Sequence, residues 1–190
     1  MKIAILSGSA RANNNTLRVA KALSNALVSN DVSIIDFTQY DIPLIVQGTL
    51  NKESLTGFQS QLIQALDEAQ IVVTLSPEYN WSITPELLNM YHALGVKDFA
   101  HLFHNKVFAF VGVSAGRGGK APCLQMMQIC NKIVSFTGGL SVVSSKIFES
   151  HETKNVLDEN GNSTGNVMYD KGLQDFTNYT LAVANRWFNQ

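Results

Sequence analysis

Hydrophobic positions along the chain fall alternately into short continuous runs and into stretches with a three-to-four-residue period. Ile3 to Leu6 is an apolar run that stops at Ser7-Gly8-Ser9, which predicts a buried strand feeding a turn. From Thr16 to Val28, Leu17, Ala20, Leu23 and Leu27 recur at helical spacing and predict a first helix. Val32 to Phe37 is the second predicted strand. After a loop carrying Asp41-Ile42-Pro43, helical spacing returns from Phe58 to Leu66. Ile71 to Leu75 is the third predicted strand, stopped by Ser76-Pro77. Pro85 to Leu94 predicts a helix with proline near its start, where a missing N–H does no harm. Val107 to Val113 is a fourth strand running into Ser114-Ala115-Gly116-Arg117-Gly118-Gly119. Pro122 to Val134 predicts a helix, Leu140 to Phe148 a fifth strand, and Gly172 to Phe188 a final helix.

Strand and helix alternating in this way predict an α/β fold with a parallel sheet. The strands are apolar throughout, as a sheet covered on both faces requires. Five strands point to a flavodoxin-like three-layer sandwich of order 2-1-3-4-5, with helices on both faces. Its ligand crevice lies at the carboxyl ends of strands 1, 3 and 4. A length of 190 residues fits a single domain, 1–190, with the polar, glycine-dotted stretch Glu149 to Val167 as an excursion.

Composition narrows the function. Hydrophobic residues make up 45% and charged residues 15%, ordinary values for a folded chain. Fourteen basic against fifteen acidic residues leave a net charge of -1, which provides no field for a nucleic-acid backbone. Two cysteines cannot build a disulfide framework. No apolar stretch is long enough to span a membrane, and Met1-Lys2-Ile3-Ala4-Ile5-Leu6-Ser7 lacks a signal peptide's apolar core. The expectation is a cytoplasmic protein.

The topology demands that the chemistry sit in three loops. The first, Gly8 to Thr16, leads into a helix start, whose free N–H groups and partial positive charge suit a phosphate. Ser9, Asn15 and Thr16 add hydrogen-bonding groups and Arg11 a charged fork. Capping alone selects Asn, Ser and Thr at such a position, but it needs one of them, and this loop carries several beside an arginine. The second loop, Ser76 to Pro85, is stiffened by two prolines and offers Tyr79 and Trp81 as flat apolar surface. It reads either as a wall for a planar ring or as a rigid turn covering the core. In the third, Ser114 to Gly119, three glycines allow backbone to approach a ligand closely. A P-loop is excluded here because Ser114 stands for the opening glycine and Ala121 for the magnesium-binding hydroxyl. Gly116, Gly118 and Ala121 meet a dinucleotide spacing, but after the fourth strand and without an acidic residue about 20 positions on.

Together, Gly8-Ser9-x-Arg11 with Asn15-Thr16, Pro77-Glu78-Tyr79-Asn80-x-Ser82 with Leu87 and Asn89, and Ser114-x-Gly116-Arg117-Gly118-Gly119 resemble the NADPH-dependent FMN reductase family. Its relatives include chromate- and quinone-reducing flavoproteins and azoreductases. The likeness runs from residue 1 to about residue 140 and continues faintly through Val156-Leu157-Asp158-Glu159-Asn160-Gly161. Pro-Glu-Tyr-Asn is its most specific element. The resemblance implies an FMN phosphate held by Ser9, Arg11, Asn15 and Thr16, with Asn14 standing where the family often has serine and able to donate. It implies an isoalloxazine lined by Pro77, Glu78, Tyr79 and Asn80, largely through backbone, with Ser114, Gly116 and Gly118 opposite. Leu88 replaces a usual lysine, and Met90-Tyr91 a usual Ile-Asp, which alters the helix behind the flavin.

The remaining clusters read as structural. Cys123 and Cys130, seven apart on one predicted helix, do not have zinc spacing and read as free thiols. His101 and His104 read as surface-loop residues. Asp158, Asn160 and Asn162 start like a calcium loop but lack its glycine and closing glutamate, so they predict a turn. Ser9 and Ser114 lack a nucleophile elbow. The expected activity is therefore flavin chemistry: NADPH or NADH delivers hydride to bound FMN, and a small-molecule acceptor then takes its place, with no side chain acting as acid or base. A flavodoxin-type carrier or a flavin-binding interaction module is the alternative, and ordinary carriers are strongly acidic. No metal, nucleic acid or membrane is expected as a partner. A homodimer or homotetramer is expected from the family's interface beside the flavin site, where Trp81 would reach.

Overall fold

Alternate side chains of a strand point to opposite faces, and the central strands place apolar residues on both. In the computed structural model, which describes residues 1–189, Ala4, Leu6, Val72, Phe108 and Phe110 join one buried cluster, while Ile3, Ile5, Val73, Ala109 and Val111 join another. The sheet therefore needs a helical layer on each side, and it has them.

The strands are β1 (Lys2–Ser7), β2 (Asp31–Asp36), β3 (Ile71–Pro77), β4 (Val107–Val113), β5 (Val142–Val143) and β6 (Phe148–Ser150). The helices are α1 (Asn15–Ala26), α2 (Gly57–Glu68), α3 (Pro85–Leu94), α4 (Lys120–Thr137), α5 (Thr153–Val156) and α6 (Val167–Phe188). All strand pairs are parallel, in the order β2-β1-β3-β4-β5, with β6 also on β4. The flavodoxin-like order expected from the sequence is the observed one. Phe58, Leu62 and Leu66 of α2, Leu87, Met90 and Leu94 of α3, and Cys123, Met126 and Cys130 of α4 cover one face. Val19, Ala20 and Leu23 of α1 and Phe176 and Ala184 of α6 cover the other. Edge strand β2 is only partly buried, as its Asp31, Ser33 and Asp36 suit.

Three elements differ from the sequence expectation. The single fifth strand is two short pieces. Phe108 pairs with Val143 and Val111 with Phe148, so three steps along β4 are matched by five on its neighbour. The two extra residues bulge out of the ladder, and continuous hydrophobicity gives no sign of such an insertion. The final helix begins at Val167 rather than Gly172, because Asn166 caps it by accepting from the Tyr169 N–H at 3.1 Å. The stretch holding His101 is a 3-10 segment, Lys97–Phe103, that buries Phe99, Leu102 and Phe103 while His101 stays exposed.

Candidate functional site

The three loops meet where the topology demands, beyond the carboxyl ends of β1, β3 and β4. They enclose a cleft of about 310 Å³. Ser9, Arg11, Asn14, Asn15 and Thr16 line it from the first loop, and Pro77, Glu78 and Tyr79 from the second. Val113 and Ala115 close the third side, and Lys154 of α5 the mouth.

Capping of α1 falls to one residue. The Asn14 carboxamide oxygen accepts from the Leu17 N–H at 2.7 Å, and its Nδ2 donates to the carbonyls of Arg11 at 2.8 Å and Ser9 at 3.4 Å. Asn14 thus lines the cleft with its side chain already engaged by backbone. The other polar groups are left over. Asn15 Oδ1 and Thr16 Oγ1, together with Ser7 Oγ at the end of β1, are buried without a hydrogen-bond partner. The N–H groups of Asn15 and Thr16, in the first turn of the helix, have no intrahelical acceptor either. Each orphaned buried polar group costs about 1–3 kcal/mol. The Thr16 hydroxyl and the two N–H groups can donate, and donors at a helix N-terminus suit an anion rich in acceptors, whereas Asn15 Oδ1 can only accept. Ser9 is buried beside it, with its hydroxyl 3.5 Å from Tyr79 Oη.

Hydrogen bonds stiffen the second loop as much as its prolines do. The Glu78 N–H donates to the Val113 carbonyl at 2.9 Å, extending the β3–β4 ladder. Tyr79 and Ser82 exchange two backbone bonds of 3.1 Å around Asn80 and Trp81, whose φ values are 47° and 62°. Two positive φ values across such a pair make a type I′ turn. It turns Asn80 and Trp81 outward: both are exposed, and neither lines the cleft. From α4, Gln125 Oε1 accepts from Ser82 Oγ at 3.1 Å and from the Ile83 N–H at 2.9 Å. Thr84 Oγ1 donates to the Gly8 carbonyl at 2.8 Å, tying the first loop to the second.

The third loop is fastened to the second by a side chain. The Glu78 carboxylate accepts the Gly119 N–H at the start of α4, where a negative charge also suits the helix dipole. Gly119 has φ 107°, and its backbone passes so close to Gly112 that a β-carbon at either position would overlap the other. Gly118 lies against the Glu78 carboxylate, while Ser114 and Gly116 flank the lining residue Ala115. The structure thus brings the first-loop residues and Pro77, Glu78 and Tyr79 to one cleft, and sets Asn80, Ser114, Gly116 and Gly118 beside it.

Lys154 is the lining residue that sequence reasoning missed. It stands in the polar stretch 149–167, where a lone lysine carries no spacing signal. Burial pushes the Cys123 thiol up to about 12 and the Cys130 thiol up as well, and neither cysteine is in a disulfide. Asp158 Oδ1 accepts the N–H groups of Asn160 and Asn162, each at 2.8 Å, and closes a turn. Asn89 anchors the loop after β2, donating to Tyr40 Oη at 2.7 Å and to the Pro43 carbonyl at 3.0 Å. Met90 and Tyr91 are buried in the core, whereas Leu88 is exposed along a groove between α3 and α4. Among the described residues, no helix is long and apolar enough to cross a membrane, and no group of three or more His, Cys, Asp or Glu is placed to hold a metal.

The model of the NADPH-dependent FMN reductase family matches residues 1–149. No curated protein matches the chain. Among solved structures, FerB, a flavoenzyme NAD(P)H:(acceptor) oxidoreductase from Paracoccus denitrificans, is similar with a TM-score of 0.77 and 17% identity, over 97% of both chains. The NADH:FMN oxidoreductase EMOB in its apo form is similar with a TM-score of 0.63 and 15% identity, over 95% of this chain and 88% of its own. A flavodoxin from the domain Archaea has a TM-score of 0.57 and 16% identity, over 98% and 99%. At such identities these neighbours show the fold, and the family match carries the rest: the chain belongs to the NADPH-dependent FMN reductase family, flavoprotein oxidoreductases that work with FMN and NAD(P)H.

Proposed function

We propose that this protein passes hydride from NADPH or NADH to bound FMN and then electrons to a small flavin, quinone, azo or similar acceptor, donor and acceptor using one cleft in turn. The observation carrying this reading is the buried, unpartnered Thr16 hydroxyl together with the free N–H groups of Asn15 and Thr16 at the start of α1, where Asn14 already supplies the cap. A phosphate fits those groups, with the Ser9 hydroxyl beside it and the charges of Arg11 and Lys154 at the rim. The backbone of Pro77, Glu78 and Tyr79 on one side and of Ala115 on the other suits a planar ring system.

When bound there, FMN supplies the hydride and electron transfer. The chain's own residues bind it, orient it and limit its contact with water. Glu78 is the one carboxylate among the lining residues, and the Gly119 N–H occupies it, so it serves to hold the wall rather than to move a proton.

The absorbance spectrum of the purified protein, before and after anaerobic NADPH, tests the reading. A yellow protein that bleaches supports it. A yellow protein that does not bleach is an electron carrier or binding module, and a protein that stays colourless after incubation with FMN and gel filtration overturns the cofactor site.

A further inference from the structure

The third loop has little side-chain bulk to hold it, since three of its six residues are glycine. Glycine loses the most freedom on ordering, so a glycine loop that waits for its ligand to order it weakens binding. This loop is fixed from outside. At the Gly119 end the anchor is Glu78. At the Ser114 end the Gly116 N–H bonds to Ser114 Oγ at 3.1 Å within the loop, and the partners from outside the loop come from residues 150–153, beyond the stretch matched by the family model. The Ser114 N–H donates to the Ser150 carbonyl at 2.9 Å, and the Glu152 N–H donates to the Gly116 carbonyl at 2.9 Å. Thr153 donates its N–H to the Ser114 carbonyl at 3.4 Å, and its hydroxyl is shared between the Ser114 and Ser150 carbonyls, each at 3.3 Å, linking the loop to that segment. The Thr153 side chain is completely buried, and its Oγ1 lies 2.9 Å from Ser150 Oγ, which in turn lies 2.9 Å from Tyr169 Oη on α6. Glu152 adopts φ 45°, a left-handed conformation that a non-glycine residue rarely takes, and this turn carries the successive N–H groups of Glu152 and Thr153 to two carbonyls of the same loop.

We propose that residues 150–153 form a brace that presets the glycine loop for the flavin, with Thr153 as its positioning residue. The proposal rests on the cleft being the FMN site. In physical terms the brace moves the ordering of Ser114 to Gly116 from the binding step to the folding step, so that binding does not bear it.

The test compares Thr153→Val, which keeps shape and N–H but loses the hydroxyl, with Thr153→Ser, which restores it. Tyr169→Phe is added as a milder variant that removes only the outermost bond and keeps the fold. Two readouts are taken on protein whose circular dichroism is unchanged: amide exchange of the segment 112–119 without flavin, and the Kd for FMN. Thr153→Val is expected to speed exchange in that segment and raise the Kd about five- to tenfold, the worth of one buried hydrogen bond. Thr153→Ser returns both to near wild type, and Tyr169→Phe shows the same paired change at about twofold. Unchanged exchange, faster exchange with wild-type FMN affinity, or a serine variant as impaired as the valine one overturns the brace. A wild-type protein that holds no FMN overturns the functional reading instead. Exchange alone then decides whether the brace exists, unchanged exchange in Thr153→Val refuting it.

Discussion

The guanidinium carbon of Arg11 lies 4.3 Å from the centroid of the Tyr79 ring. This stacking joins the first loop to the second across the cleft and holds a positive charge beside the N-terminus of α1. A cation over an exposed aromatic face is worth about 0.5–1 kcal/mol, while a charge-assisted bond to an anion is worth about 1.5–3 kcal/mol. The larger value decides where the charge goes when phosphate is present.

Arg11→Ala is therefore expected to weaken FMN binding by about 1.5–3 kcal/mol and to leave riboflavin affinity nearly unchanged. Fluorescence titration of both flavins measures it. An equal loss for the two would make Arg11 a structural residue that merely packs on Tyr79.

Kinetic order tests the proposed sharing of one cleft. If donor and acceptor take turns in the cleft walled by Pro77 to Tyr79 and by Ala115, as proposed, the two are never bound together. Double-reciprocal plots with NADPH varied at several acceptor concentrations are expected to be parallel. Intersecting lines would mean that donor and acceptor bind together at separate sites.

Trp81 is 76% exposed at the tip of its turn, and Leu88 borders the groove between α3 and α4. Exposed aromatic anchors of this kind favour self-association. Light scattering at micromolar concentration is expected to give a dimer or tetramer of the 20.8 kDa chain, shifted toward monomer by Trp81→Ala. A wild-type mass near 20.8 kDa would refute it.

Alkaline pH should weaken the fold early. Burial raises the Cys123 thiol from 9.0 to about 12, and the Tyr40 and Tyr169 hydroxyls from 10.0 to about 12. These groups lose protons in the unfolded chain first, so the folded state holds more protons between the two values. Stability is then full below about pH 9 and falls as pH rises toward 12. Urea midpoints measured from about pH 8 to pH 11 are expected to decline, less steeply in Cys123→Ala. A flat profile would show that the three groups titrate alike in both states.

Strand order and the place of the cleft were legible because both follow from apolar runs and a topological rule. Ile3 to Leu6 and Val107 to Val113 are buried as their composition demands. The choice between capping and ligand binding at the first loop was not legible, since Asn14, Asn15 and Thr16 look alike in sequence. Only geometry shows Asn14 bonded to the Leu17 N–H and Thr16 Oγ1 left without a partner. Nor does composition tell that Asn80 and Trp81 leave the cleft, because a type I′ turn depends on backbone angles that neither residue dictates. Lys154 and the grip of Thr153 on Ser114 join parts of the chain distant in sequence, where no spacing rule operates.

The interrupted fifth strand bears on how copies of this chain can meet. An open sheet edge presents a row of unused peptide groups that another chain can extend. On this side of the sheet that row is two residues, Val142–Val143, then a break of four residues, 144–147, and then three residues, Phe148–Ser150. Neither piece is long enough to template a foreign strand. The fold has in effect closed that margin to backbone-mediated growth, leaving association on this flank to side-chain complementarity, which can be specific where peptide pairing is not.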